Sequence, residues 1–407
     1  MLLWENKKQK LLKILKIGIN PFKKFVSTGE IKENLGLVSS RTDFLNDLED
    51  IINKNENFIL PIIGEIGVGK THLFWALKDQ LKDNYNTIYL SLENIYKRFY
   101  YNLYSEFIES IGVENLRIIT NNLCFKWNGI DKKYGFFPIS NLQKARNNGI
   151  ERYGPSIDDK RALNDVINVI TSHRLDPYNR IEAENYLLGE LLNVRELSAL
   201  NVEKDLRDKN NAFVLLKILI ENSKSGTLIF IDNFEKIISL LKPNDETEVV
   251  FDSSWLYGST ENPDSRTAKK ILKKILKLQK INSLRIIITL NSLNSLEEIK
   301  KLVSNIDHNL LLTFKDPVFL SKFQEGDIYS FYKDNMKEFL QHINYQDLTD
   351  EFANSYHPLT KEALKYIYQK ADGNPREVIK LLIRIFNELI YHDATANDID
   401  CRYKELC

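Results

Sequence analysis

The eight residues Gly64-Glu65-Ile66-Gly67-Val68-Gly69-Lys70-Thr71 constrain this chain more than any other stretch. They match GxxxxGK[ST], follow the apolar run FILPII and precede HLFWALKDQL, whose spacing predicts a helix. Glycines there let the backbone curl so that successive N–H groups converge on a phosphate. The helix N-terminus adds the positive end of its dipole. Lys70 is expected to reach the β- and γ-phosphates of a nucleotide, and the Thr71 hydroxyl to ligate Mg²⁺. Residues 64–71 and His72 are therefore candidate ATP-binding positions. Chance yields the pattern in roughly one such chain in a hundred, and more rarely still between a strand and a helix. A glycine turn with a surface lysine is the bland alternative.

Four apolar runs, at 58–63, 87–92, 227–231 and 284–290, are continuous rather than alternating. That pattern predicts strands of a parallel sheet covered on both faces. Helical periodicity between them predicts an α/β fold, a parallel sheet flanked by helices. Residues 121–225 break the alternation and are expected to form a mostly helical insertion, with helical periods at 185–200 and 212–219. Beyond 320 the periodicity is helical near 326–341, 359–371 and 375–391, which predicts a helical lid. The expected division is thus 1–35, a core of 36–120 with 226–320, the insertion at 121–225, and the lid at 321–407.

The run LIFIDNFEKI ends a strand in Asp232 and places Glu235 three residues on. A carboxylate at a strand tip suits the water shell of Mg²⁺, and a second one could polarise an attacking water. Strand capping by surface acids is the alternative. The strand SLRIIITLNS ends in Thr289 and Asn291. Residues 371–376, ADGNPR, close one helix and open another, with Gly373 suited to a C-cap, Asn374 to an N-cap and Pro375 to the first helical position. Arg376 in that first turn opposes the helix dipole, which a ligand anion would offset.

The 56 basic and 56 acidic side chains cancel, unlike a strongly basic constitutive DNA binder. Cys124, Cys401 and Cys407 form no CxxC pair, and the six histidines have no metal-ligand spacing. The lysine-rich start lacks the features of a signal peptide, and no long apolar run predicts a membrane span. The expectation is a cytoplasmic protein.

The order of phosphate loop, acidic strand, polar-tipped strand and GNPR resembles the origin-recognition and Cdc6-type branch of AAA+ ATPases. That resemblance implies that Asn291 and Arg376 lie near the γ-phosphate, and that 37–41, LVSSR, with Val38, forms the adenine side. It also implies catalytic roles for Lys70, Asp232 and Glu235, with Thr71 and Asp232 at the metal. Most AAA+ proteins place the catalytic glutamate directly after the aspartate, where this chain has Asn233; Glu235 would take that role, or hydrolysis would be slow. About 16 residues follow the lid, so that branch's winged-helix domain is not expected. Within the insertion, Arg180-x-x-Ala183-x-x-Tyr186-Leu187-x-Gly189-Glu190 and Arg195-Glu196-Leu197 resemble a segment of ATP-binding proteins of BREX-type phage-defence systems, as does Asn20-Pro21-Phe22. Tyr186 replaces their tryptophan, and core packing is the alternative.

Residues 265–285 carry eight basic residues and no acid. On a helix, Ile271, Leu272, Ile275, Leu276 and Leu278 would face inward, and Lys269, Lys270, Lys273, Lys277 and Lys280 outward. Double-stranded DNA is one candidate partner for that face; simple solvation is the other. Lys7, Lys8, Lys10, Lys13 and Lys16 pose the same choice. The insertion is expected to recognise a protein partner. No arginine lies between Asn291 and Asn374, where AAA+ rings place a finger; Arg266, Arg180 or Arg195 could substitute. A homo-oligomer and a ringless form both stay open. No NKxD-type motif favours GTP, and no second motor domain favours a helicase.

Overall fold

In a computed structural model, the described residues are 11, 13, 15, 16, 18–23, 38–92, 98–128, 130–133, 137–241, 263–342, 356–392 and 403–405. Leu37, Lys7, Lys8, Lys10, Cys401 and Cys407 lie outside them. Helix α1 (Ser39–Lys54) leads to strand β1 (Ile59–Ile63), helix α2 (Lys70–Leu81) and strand β2 (Tyr85–Ser91). Helix α3 (Phe99–Lys126), strands β3 (Ile130–Lys133) and β4 (Phe137–Ser140), and helices α4 (Leu142–Tyr153) and α5 (Lys160–Leu175) come next. Helices α6 (Arg180–Leu187), α7 (Val194–Ala199) and α8 (Lys209–Asn222) lead to strand β5 (Gly226–Asp232) and helix α9 (Glu235–Leu241). Helix α10 (Pro263–Leu278), strand β6 (Leu284–Leu290), helix α11 (Leu293–Ser304) and strand β7 (Val318–Phe319) follow. Helices α12 (Glu325–His342), α13 (Lys361–Lys370) and α14 (Pro375–Tyr391) close the sequence of elements.

Five strands form one sheet in the order β2-β5-β6-β1-β7. The pairs β2–β5, β5–β6 and β1–β7 are parallel. Strands β1 and β6 are buried along their whole lengths, as continuous apolar runs require of a sheet covered on both faces. The fold is therefore α/β, as the alternation of runs predicts. Strand β7 has only two residues, too few to leave a periodic signal.

The chain divides into two compact units. The first comprises Met1–Lys54, Ile62–Gln80 and Val318–Cys407. Its apolar core joins Leu11, Leu15, Phe22 and Val38 to residues of α12, α13 and α14. The Asn20-Pro21-Phe22 segment has a packing role here. The Phe22 ring lies 5.0 Å from Phe386 and 5.8 Å from Tyr332, while Asn20 Nδ2 donates to the Ile383 carbonyl and to Asn387 Oδ1.

The second unit comprises Asn55–Pro61 and Leu81–Pro317. Two features of the 121–225 region go beyond what helical periodicity shows. Helix α3 continues to Lys126, and an antiparallel hairpin of β3 and β4 follows it. The apolar period at 185–200 does not give one helix: α6 ends at Leu187, Gly189 takes φ +86°, and α7 starts afresh at Val194. The Glu190 amide donates to the Asn185 carbonyl and the Gly189 amide to that of Tyr186, satisfying acceptors that the ended helix leaves open. Tyr101 donates its hydroxyl to the Gly189 carbonyl at 2.8 Å, and Tyr104 donates to that of Leu187. Ala183, Tyr186 and Leu187 are fully buried. Tyr186 donates to the Lys204 carbonyl and accepts from Asn211, so the motif residues that recur here serve packing and helix termination.

Candidate functional site

The first unit holds the glycine loop. Gly67 and Gly69 have φ of +88° and +100°, a region where only glycine is unstrained. A Cβ on Gly64 would lie 2.8 Å from Val68 Cγ2 and 2.9 Å from the Leu320 carbonyl, so the loop also needs glycine for space. Helix α2 begins at Lys70, which places Thr71 and His72 in its first turn. Among the described residues, the Gly67 and Gly69 amides donate to no protein acceptor. Both residues are half-buried, so these amides are open to a ligand oxygen, and a phosphate fits the arrangement. Lys70 is buried, and its ammonium donates to the Gly64 carbonyl at 2.5 Å and the Glu65 carbonyl at 3.1 Å.

Four consecutive loop residues are tied down from outside the loop. Glu65 pairs with Lys322, which also pairs with Asp372; both carboxylates raise the lysine above its ordinary value. The Ile66 carbonyl accepts from Asn374 Nδ2 at 2.9 Å, and the Gly67 carbonyl from the Arg376 amide at 3.2 Å. The Val68 carbonyl accepts from Arg41 Nη2 at 3.1 Å, and the same nitrogen reaches the Ser321 carbonyl at 2.5 Å. Burial pushes the Arg41 guanidinium below its ordinary value, an effect that the charge of Asp327 opposes. Ser40 donates to that Asp327 carboxylate. Val38, whose carbonyl accepts from the Arg41 amide, is buried in the apolar core of the unit.

In the GNPR turn, Asn374 caps α14 by accepting from the Arg376 amide, and Pro375 opens the helix. Gly373 is not the C-cap expected, since α13 ends at Ala371 and both Asp372 (φ +49°) and Gly373 (φ +66°) take left-handed backbone beyond it. Arg376 is exposed. Among the described residues its guanidinium has neither an ion pair nor a hydrogen bond.

The second unit carries a cluster toward the carboxyl ends of three strands. Asp232 is 2% exposed, and both of its carboxylate oxygens accept hydrogen bonds. Oδ1 takes the Thr289 hydroxyl and the Asn233 amide, and Oδ2 takes the Tyr89 hydroxyl at 2.9 Å. Asn233 has φ +56°, which asparagine tolerates better than most residues, and its amide is shared with Thr289 Oγ1. Glu235 opens α9, where the helix dipole favours its charge, and Asn291 Nδ2 donates to its Oε1. Two residues singled out for different reasons, Glu235 and Asn291, are thus in contact. Tyr89 left no signal of its own: it is one residue within an apolar run, and its role depends on strand pairing.

The stripe of α10 is buried as expected at Ile271, Leu272, Ile275, Leu276 and Leu278. Lys269, Lys270, Lys273 and Lys280 are exposed, but Lys277 is not fully outward. Its ammonium sits 4.4 Å from the centroid of Phe213, a cation–π contact that covers part of the side chain. Among the described residues no group of three or more His, Cys, Asp or Glu could hold a metal ion. No helix among them is long and apolar enough to cross a membrane.

Fold and loop together define an α/β protein carrying a strand–glycine loop–helix unit with the GxxxxGKT signature. No protein-family model matches the chain, and no curated protein matches it. Among solved structures it is similar to "Structure of Drosophila ORC bound to DNA", at 9% sequence identity and a TM-score of 0.35. That match covers 94% of this chain, which spans 60% of the length of the solved chain.

Proposed function

We propose that this chain is an ATPase of the AAA+ superfamily, coupling ATP binding and hydrolysis to a conformational change in a larger, DNA-directed assembly of phage defence or a mobile element. The observation that carries the nucleotide-binding part is the pair of Gly67 and Gly69 amides, half-buried and without a protein acceptor among the described residues, in a loop that ends at the N-terminus of α2. Lys70 would bind the β- and γ-phosphates, and Val38 would border the adenine. The Thr71 hydroxyl would ligate Mg²⁺ and Asp232 would hold its water shell; this donor set is hard oxygen, which suits that ion. Magnesium, when bound, supplies charge neutralisation at the phosphates. Glu235 would accept a proton from the attacking water, while Asn291 and Arg376 would respond to the γ-phosphate. Lys269, Lys270 and Lys273 would offer DNA a cationic face, and the insertion would engage a protein partner.

Asn233 favours a second reading, a nucleotide-dependent switch with little turnover. An amide at the position after Asp232 can orient water but cannot take its proton. Steady-state hydrolysis with and without double-stranded DNA separates the two. Turnover raised by DNA and abolished by Glu235→Gln supports the coupled ATPase; tight ATP binding with negligible turnover in both conditions supports the switch. Equal ATP affinity in Lys70→Ala and the parent would overturn both.

A further inference from the structure

We propose that Asn374 is a positioning residue for the phosphate loop, acting on the loop backbone and not on the γ-phosphate. This rests on the nucleotide-binding reading above. The Asn374 amide group is used at both ends. Its Oδ1 accepts from the Arg376 amide at 3.1 Å and caps α14, while its Nδ2 donates to the Ile66 carbonyl at 2.9 Å. The reverse orientation would set the NH₂ against the Arg376 amide and the oxygen against the Ile66 carbonyl, so the two partners fix the side chain. Contact is close: a Cβ on Gly67 would stand 2.6 Å from Asn374 Oδ1.

The geometry divides the labour of the loop. The carbonyls of Ile66, Gly67 and Val68 are taken by Asn374, the Arg376 amide and Arg41. With those three carbonyls fixed, the peptide planes between them are fixed, and so is the direction of the amides a phosphate would meet. Asn374 therefore contributes to every nucleotide that uses those amides, whether it has two phosphates or three. The exposed guanidinium of Arg376 is free to make the distinction between them.

The test uses the full chain and compares Kd for ATP and for ADP. Asn374→Ser still caps a helix but is too short to reach Ile66. It is expected to raise both Kd values by the same factor, about 3- to 10-fold, the range of one lost hydrogen bond. The apo melting temperature should stay within about 2 °C of the parent, since the cap survives. Asn374→Asp keeps the cap but sets an acceptor against the Ile66 carbonyl, and should weaken both nucleotides at least as much. A loss confined to ATP would overturn the proposal, because Asn374 would then be reading the γ-phosphate. Unchanged binding in both variants would overturn it too, as would a collapse of the melting temperature in proportion to the lost affinity. Lys70→Ala distinguishes the underlying reading: if it abolishes binding while Asn374→Ser leaves both Kd values unchanged, only the positioning role fails. If Lys70→Ala binds like the parent, the nucleotide site itself is wrong.

Discussion

In the glycine loop of the first unit the working groups are backbone carbonyls and amides; at the strand tips of the second they are side chains. The loop's carbonyls are held by Asn374, Arg376 and Arg41, which leaves amides for a ligand. The strand-tip cluster fills both oxygens of Asp232 and one of Glu235, since Thr289, Asn233 and Tyr89 all serve Asp232, and Asn291 serves Glu235 Oε1. A backbone site tolerates changes of side chain but not of conformation. A side-chain site is the converse. The two units should therefore fail in different ways when mutated.

The largest effect is expected in the second unit. Glu235→Gln keeps shape and the bond from Asn291 but removes the proton acceptor, so turnover should fall by about 10²- to 10⁴-fold. ATP affinity should hold within about twofold. Single-turnover hydrolysis beside equilibrium binding checks the split. Full turnover in this variant would show that the cluster does not supply the base.

The glycine loop should break through a single methyl group. Gly67→Ala asks alanine to adopt φ +88° and to stand 2.6 Å from Asn374 Oδ1. Strain of about 1–3 kcal/mol predicts roughly 5- to 150-fold weaker ATP binding. Calorimetric titration would measure it. An unchanged Kd would mean that the loop moves freely against Asn374 and that its conformation is not what binds the nucleotide.

Arg376→Ala should have a smaller and more selective effect. Its exposed side chain has no hydrogen bond or ion pair among the described residues, so the loop should stay intact while ATP loses about 10-fold and ADP little. Equal losses for the two nucleotides would assign the arginine to general electrostatic attraction.

The contrast also explains what could be read in advance. GxxxxGKT was legible because its requirements are local: positive φ at two glycines, a strand before and a helix after. The N-cap of GNPR, at Asn374, was legible for the same reason. The hold of Arg41 on the loop was not: 37–41 stood out only by resemblance, and its partners Val68 and Ser321 come from distant stretches. The break at Gly189 was hidden by apolar residues that keep a helical period across it; Tyr101 and Tyr104, far away in sequence, secure the turn. Lys277 followed the outward stripe of α10, but Phe213 drew it partly down onto a ring.

Tyr89→Phe is the mildest test and the sharpest for the idea that side chains set the state of Asp232. Asp232 Oδ2 accepts from the Tyr89 hydroxyl, while the ring stacks on Phe230 at 6.3 Å. Phenylalanine keeps the ring and leaves Oδ1 with its own two donors, Thr289 and Asn233. The loss is then one hydrogen bond to a carboxylate, about 1.5–3 kcal/mol at most and less if water replaces it. The expected result is a melting temperature lower by a few degrees. If Asp232 holds a metal's water shell, turnover should fall severalfold and be restored in part by raising Mg²⁺. A stability loss with turnover untouched at every Mg²⁺ concentration would leave Tyr89 a structural prop, and the cluster would then tolerate the loss of one donor without consequence for chemistry.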